Sequence, residues 1–151
     1  MNDPQHGSFA RGDDASGPNF SGPVWLAQLL DPAQVAANDM SIYNVTFAAG
    51  CRNSWHRHSH GQVLLATSGV GYHQIRGQAI QVLHPGDVVV CPPNVEHWHG
   101  AGPDGEFVHV GITPRASINQ PTWLEPVTDA EYRGPVAEWT GNTIPNASSA
   151  Q

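Results

Sequence analysis

The chain of 151 residues and 16.2 kDa has the length of one domain with modest tails. Its formal charge of −7, from 13 acidic residues against six arginines and no lysine, excludes a basic surface for nucleic acid or an anionic membrane, and excludes Schiff-base chemistry on a lysine amine. No apolar run approaches the roughly 18 residues of a membrane span, and the opening MNDPQHGSFARGDD lacks the basic start and apolar stretch of a secretion signal, so a soluble cytoplasmic protein is expected.

Residues 1–22 are rich in Gly, Asp, Ser and Pro without an apolar period, and read as a flexible arm. A single barrel domain is expected over residues 23–135. Residues 24–30 form an apolar strand. Residues 41–47 alternate, with Ile42, Asn44 and Thr46 on one side and Tyr43, Val45 and Phe47 on the other. Strand candidates at 62–67, 71–76, 79–83, 88–90, 97–100 and 107–112 follow, divided by turn signals such as Ser68-Gly69, Pro85-Gly86 and Gly102-Pro103. Strands at this density, in a chain with 16 glycines and 13 prolines, predict an all-β sandwich or barrel. Residues 128–132 read as a short helical turn packing Trp123 and Tyr132 on the barrel, and residues 136–151 as a flexible tail. Cys51 and Cys91 make no disulfide framework and are expected as free thiols, Cys91 in a buried strand. Cys51, close to the first histidine cluster, is also a candidate metal ligand.

Five of the nine histidines fall in two short clusters. In Trp55-His56-Arg57-His58-Ser59-His60-Gly61-Gln62, alternate residues of an extended strand share a side, so His56 and His58 present two imidazoles to one point. Glu96-His97-Trp98-His99 repeats the device on a later strand. Two strands offering inward imidazoles suit one divalent transition metal: Mn, Fe, Co, Ni or Zn. Isolated histidines such as His6, His73 and His84 read as structural or exposed. Arg52, Arg57 and Arg76 lie near the first cluster, either as solvated surface charge or as the contact for a small anionic substrate.

These segments resemble the cupin family. The family's first motif runs Gly, five residues, His-x-His, three or four residues, Glu, six residues, Gly; here it is Gly50, CRNSW, His56 and His58, SHG, Gln62, VLLATS, Gly69. The second motif is matched by Gly86, DVVVC, Pro92, Pro93, Asn94, VE and His97, with Asn94 in place of the usual Gly and Ala101 in place of the usual Asn. The resemblance implies a single-domain jelly-roll barrel, the double-stranded β-helix, with metal ligands at His56, His58, Gln62 and His97. Gln62 stands where the family has Glu. A neutral ligand set leaves the full +2 charge on the ion, which weakens its binding and strengthens it as a Lewis acid. His60, on the same face as His58 of a continuous strand, is the alternative fourth ligand.

WHRHSHGQ, HPGDVV, EHWHG and WLEPVTDAEYR are similar to segments of small bacterial cupins, among them carboxymuconolactone-decarboxylase-associated members and manganese-dependent hydroxynitrile lyases that use three His and one Gln. This narrower resemblance implies Mn as the metal and His109 and His99 as the catalytic residues, with Tyr43, Val45, Asn53 and Thr113 lining a pocket for a small-molecule substrate. It implies cleavage or formation of a cyanohydrin or related α-hydroxy adduct, with an imidazole as general base. A dioxygenase or isomerase acting on a diol or dicarbonyl, and a non-catalytic metal-dependent binding protein, are the other classes such a site serves. An outward His109 is the competing placement, with Val108, Val110 and Ile112 as the buried set. Small cupins are commonly dimers, so a homodimer is expected, with the strand at 24–30 able to cross to a partner.

Overall fold

The computed structural model describes residues 8–141; His6 and the tail beyond Gly141 lie outside the described residues. In chain order the elements are β1 (Asp13–Asp14), β2 (Val24–Gln28), α1 (Pro32–Asn38), β3 (Met40–Phe47), β4 (His56–His58), β5 (Gln62–Gly69) and β6 (Gly71–Ile75). Then come β7 (Ile80–Leu83), β8 (Val88–Cys91), β9 (His97–Ala101), β10 (Phe107–Pro114), β11 (Pro121–Trp123), α2 (Asp129–Tyr132) and β12 (Val136–Glu138). They form two six-stranded sheets, ordered β1-β2-β3-β10-β5-β8 and β11-β4-β9-β6-β7-β12, whose inner faces enclose the barrel interior. The expected jelly-roll barrel is the fold.

The expected period-2 alternation of β3 is present, and it turns Tyr43, Val45 and Phe47 to the interior cavity. Asn44 and Thr46 face the other way and are nevertheless fully buried. The chain near Ala10 lies over them, its carbonyl accepting a 3.0 Å hydrogen bond from Asn44 Nδ2. β10 is likewise buried without a break from Phe107 to Gly111. His109 and Val108 are therefore both interior, each 1% exposed, and the competition between the two faces disappears.

Hydrophobic packing divides between the barrel and its outer wall. Val24, Phe47, Leu64, Leu83, Val89 and Phe107 form the barrel core. Outside the second sheet, Trp55, Ile80, Trp98 and Val127 make a second cluster, joined by Tyr72, Leu124 and Tyr132. Full burial of each such side chain is worth about 1.5–3 kcal/mol. α2 is set by a capping box in which Thr128 accepts from Glu131 N and the Glu131 carboxylate accepts from Thr128 N. It delivers Tyr132 onto Trp98 and Tyr72, as expected. Trp123 does not join it: Trp123 belongs to β11, which pairs with β4, and lies over the His56 ring at 4.7 Å.

Two segments expected as flexible tails are built into the barrel where they are described. Asp13–Asp14 pairs with β2, and Phe20 bridges to Asn53. Val136–Glu138 runs parallel to β7, and Trp139 packs against the core. Strands of two or three residues carry no hydrophobic period, so composition alone misassigned them. Within the chain β2 pairs with β1 on one side and β3 on the other. Asn94 adopts φ 63°, the left-handed conformation for which the family uses Gly and which Asn tolerates. Among the described residues, no helix is long and apolar enough to cross a membrane.

Candidate metal centre and pocket

The first histidine pair comes from β4 and the third histidine from β9, strands paired at His56 and His97. Ring centroids are 5.1 Å apart for His56–His58, 4.3 Å for His56–His97 and 5.7 Å for His58–His97. Two backbone carbonyls set the tautomers. His56 Nδ1 donates to Ser54 O at 2.8 Å and His97 Nδ1 to Val95 O at 3.0 Å, so in both rings the lone pair is left on Nε2. Gln62 opens β5 and reaches the same cavity. His60 does not: Ser59 and His60 form a turn that ends the alternation at His58, and the His60 ring engages the Ser59 hydroxyl at 2.9 Å.

His58 Nε2, Gln62 Oε1 and His97 Nε2 are all buried and have no hydrogen-bond partner. Each such orphan costs on the order of 1–3 kcal/mol. Three of them in one site, on N and O donors suited to a first-row ion, fit a divalent metal that takes their lone pairs. Burial holds every imidazole here neutral, as metal ligation requires. It drives His56 well below its usual range, with His97 the next cause, and lowers His97. It brings His58 down to about 4.

Two further imidazoles complete the cavity. His99 shares β9 with His97, and a ring nitrogen of each lies within 4.8 Å of one on His56. His109, on β10, meets His99 edge to face at 5.0 Å and lies between the rings of Phe47 and Phe107. That apolar surround lowers His109 to about 4, and burial, with His109 second, drives His99 well down. Both nitrogens of His109, and Nδ1 of His99, lack partners.

Asn53 fixes which nitrogen of His99 carries the proton. The His99 backbone N–H donates to Asn53 Oδ1 at 2.9 Å, so the amide Nδ2 faces His99 Nε2 at 3.1 Å and donates to it. Nε2 is thus an acceptor, and the proton sits on Nδ1. Gly100 makes this approach possible, because a Cβ there would collide with the Cys51 carbonyl and the Arg52 backbone. Asn53→Asp is expected to move the His99 proton to Nε2, where the carboxylate accepts it, and to raise the His99 pKa. The ¹⁵N shifts of the His99 ring in metal-free protein report the tautomer; an unchanged pattern would remove Asn53 from this role.

The cavity above these groups has a volume of about 390 Å³ and is walled by Phe20, Leu26, Tyr43, Val45, Phe47 and Trp123, with Asn53, Thr113 and Asn119 as polar points. No Asp, Glu, Arg or Lys is among its lining residues. Arg52 is turned away to Val127 O and Asp129, and Arg76 to Glu96 and Glu125. Phe20 and Trp123 were missed as pocket residues because each lies on a segment whose pairing is long-range. Cys51 packs in the barrel core and is not among the grouped ligands. Cys91 and His73 are, together with His97.

A cupin domain is matched over residues 43–110. The chain is 41% identical over 129 residues to an (R)-mandelonitrile lyase of Granulicella tundricola, covering 81% of this chain and 95% of that protein. A solved cupin-like protein of Thermotoga maritima is 43% identical with a TM-score of 0.78, over 83% of this chain and 93% of that one. A cupin 2 conserved barrel domain protein of Rhodopseudomonas palustris, 20% identical over 79% of this chain and 75% of its own, shares the fold at TM-score 0.60. The barrel, the two motifs on it and these likenesses agree: the chain belongs to the cupin family.

Proposed function

We propose that the protein is a metal-dependent carbon–carbon lyase of the hydroxynitrile type, holding one Mn²⁺ on His56, His58, Gln62 and His97 and cleaving or forming a small, largely apolar cyanohydrin. The observation that carries the reading is a pair of buried imidazoles, His109 with neither nitrogen partnered and His99 with a partnerless Nδ1, beside that donor set in a cavity whose lining holds no carboxylate. The relative named (R)-mandelonitrile lyase supports it.

A bound divalent ion supplies Lewis acidity, undiminished by any ligand carboxylate, to the substrate's oxygen or nitrile. His109 accepts the hydroxyl proton; a base lowered to about 4 can do so only from a strongly acidified hydroxyl. The hydroxyl oxygen becomes the carbonyl as the carbon–carbon bond breaks, and its electron pair leaves with cyanide. The proton then passes from His109 to cyanide. His99, with its proton on Nδ1, donates to the developing negative charge. Phe20, Phe47 and Trp123 exclude water and receive the organic group.

The test is cyanide release from mandelonitrile by the Mn-loaded protein, with an oxygen electrode in the same cell. Cyanide is expected without oxygen uptake, and His109→Phe is expected to lower kcat by about 10²–10⁴-fold while leaving metal content unchanged. Fully metal-loaded protein that releases no cyanide from several cyanohydrins would overturn the proposal, and oxygen uptake with a diol or dicarbonyl would replace it by a dioxygenase.

A further inference from the structure

His73 and Cys91 face each other inside the barrel on β6 and β8, His73 Nε2 to Cys91 Sγ at 3.5 Å. His73, Cys91 and His97 are 1%, 2% and 0% exposed, and one ligand atom from each lies within 4.8 Å of the others. A tetrahedral ion with metal–nitrogen bonds of about 2.0 Å and a metal–sulfur bond of about 2.3 Å has a nitrogen–sulfur edge of about 3.5 Å. The His73–Cys91 pair already has that spacing. His97 Nε2 is buried without a partner. The cluster also has its own approach. A cavity of about 350 Å³ lined by His73, Gln78, Gln81, Val89 and Trp139 reaches the His73 member of the cluster, whereas His56, His58, His99 and His109 line the other cavity.

We propose that His73, Cys91 and His97 form a second metal site, selective for thiophilic ions such as Zn²⁺, Cd²⁺ or Cu⁺, with His73 the member on the side of the Trp139 cavity. Soft thiolate ligation separates its preference from that of the His/Gln centre, which suits harder ions. Binding replaces the Cys91 proton by the metal–sulfur bond and releases that proton to solvent. His97 has one lone pair to give, because its Nδ1 is committed to Val95 O. The two sites therefore cannot both use it, and a thiophilic ion bound by Cys91 and His73 empties a ligand position of the first centre. This last consequence rests on the centre proposed above; the second site itself does not.

The probe is Cd²⁺ titrated into the full chain, read by the ultraviolet thiolate-to-cadmium charge-transfer band. One band-forming equivalent is expected in the wild type and in His56→Ala/His58→Ala, where competition from the first centre is gone. Cys51→Ser should keep the band, Cys91→Ser should lose it, and His73→Gln, which retains the thiol, should weaken Cd²⁺ binding at least tenfold. No band in His56→Ala/His58→Ala, a band that survives Cys91→Ser, or binding indifferent to His73→Gln would each overturn the site. Cyanide release is not a readout here, so this result and that of the lyase test stand apart.

Discussion

His97→Ala will leave the protein unable to retain a stoichiometric Mn²⁺ through desalting. Its Nε2 is buried and otherwise partnerless, and its ring is held in place by the Val95 carbonyl. Zinc-finger sites gain roughly 10–16 kcal/mol from four ligands. Loss of one ligand of four then costs about 3 kcal/mol, on the order of a hundredfold in affinity. A site already weakened by a neutral Gln62 has little reserve. Gln62→Glu should move the other way, binding metal more tightly while making it a poorer Lewis acid and slowing turnover. His99→Ala is the control and should keep its metal. Elemental analysis of the desalted variants decides the matter: one Mn per chain in His97→Ala would place the centre elsewhere.

The metal-free protein will lose its stability steeply between pH 7 and pH 5. Burial lowers His58 and His109 to about 4 and His73 to about 3, and lowers His56, His97 and His99 as well. In the unfolded chain each returns to about 6.5. Between those values the unfolded state binds protons that the native state refuses, so stability rises with pH across the interval. It is fully present above about pH 7 and falls as the pH drops below 6.5. The loss stops growing only when the folded-state groups themselves protonate, near pH 4 and below. A group shifted from about 6.5 to about 4 forfeits up to roughly 3 kcal/mol, and three such groups rival the 5–15 kcal/mol total of an ordinary domain. The urea midpoint measured at pH 7.5, 6.5 and 5.5 should fall at each step. Added Mn²⁺ should shift the decline to lower pH by competing with the protons. A midpoint flat over that range would mean that the imidazoles are not held neutral by burial.

Much of this was legible in the residues. Turn signals divided the barrel strands, the alternation of β3 put Tyr43, Val45 and Phe47 on one side, and the two His-x-His pairs brought His56, His58 and His97 close together. Local periodicity cannot see pairings made at long range by two or three residues. That is why Phe20 was assigned to an arm, Trp123 to the outer wall and Val136–Glu138 to a tail. His73 read as structural or exposed because its partners, Cys91 and His97, come from two other strands. α1 did leave a trace, in Asp31 followed by Pro32: the Asp31 side chain accepts from Gln34 N, and proline suits the first helical position.

The bridge between Phe20 and Asn53 has a practical side. Asn19 O accepts from Ser54 N, Ser21 N donates to Arg52 O, and Ser21 Oγ accepts from Arg52 N. The polar leader thus braces both neighbours of the amide that sets His99, while Phe20 walls the cavity between Phe47 and Trp123. Anyone shortening the gene to start at Val24, a natural trim for crystallisation or display, would keep every strand from β2 onward. The product would fold around its histidines with one side of the chamber missing and the Asn53 amide unsupported.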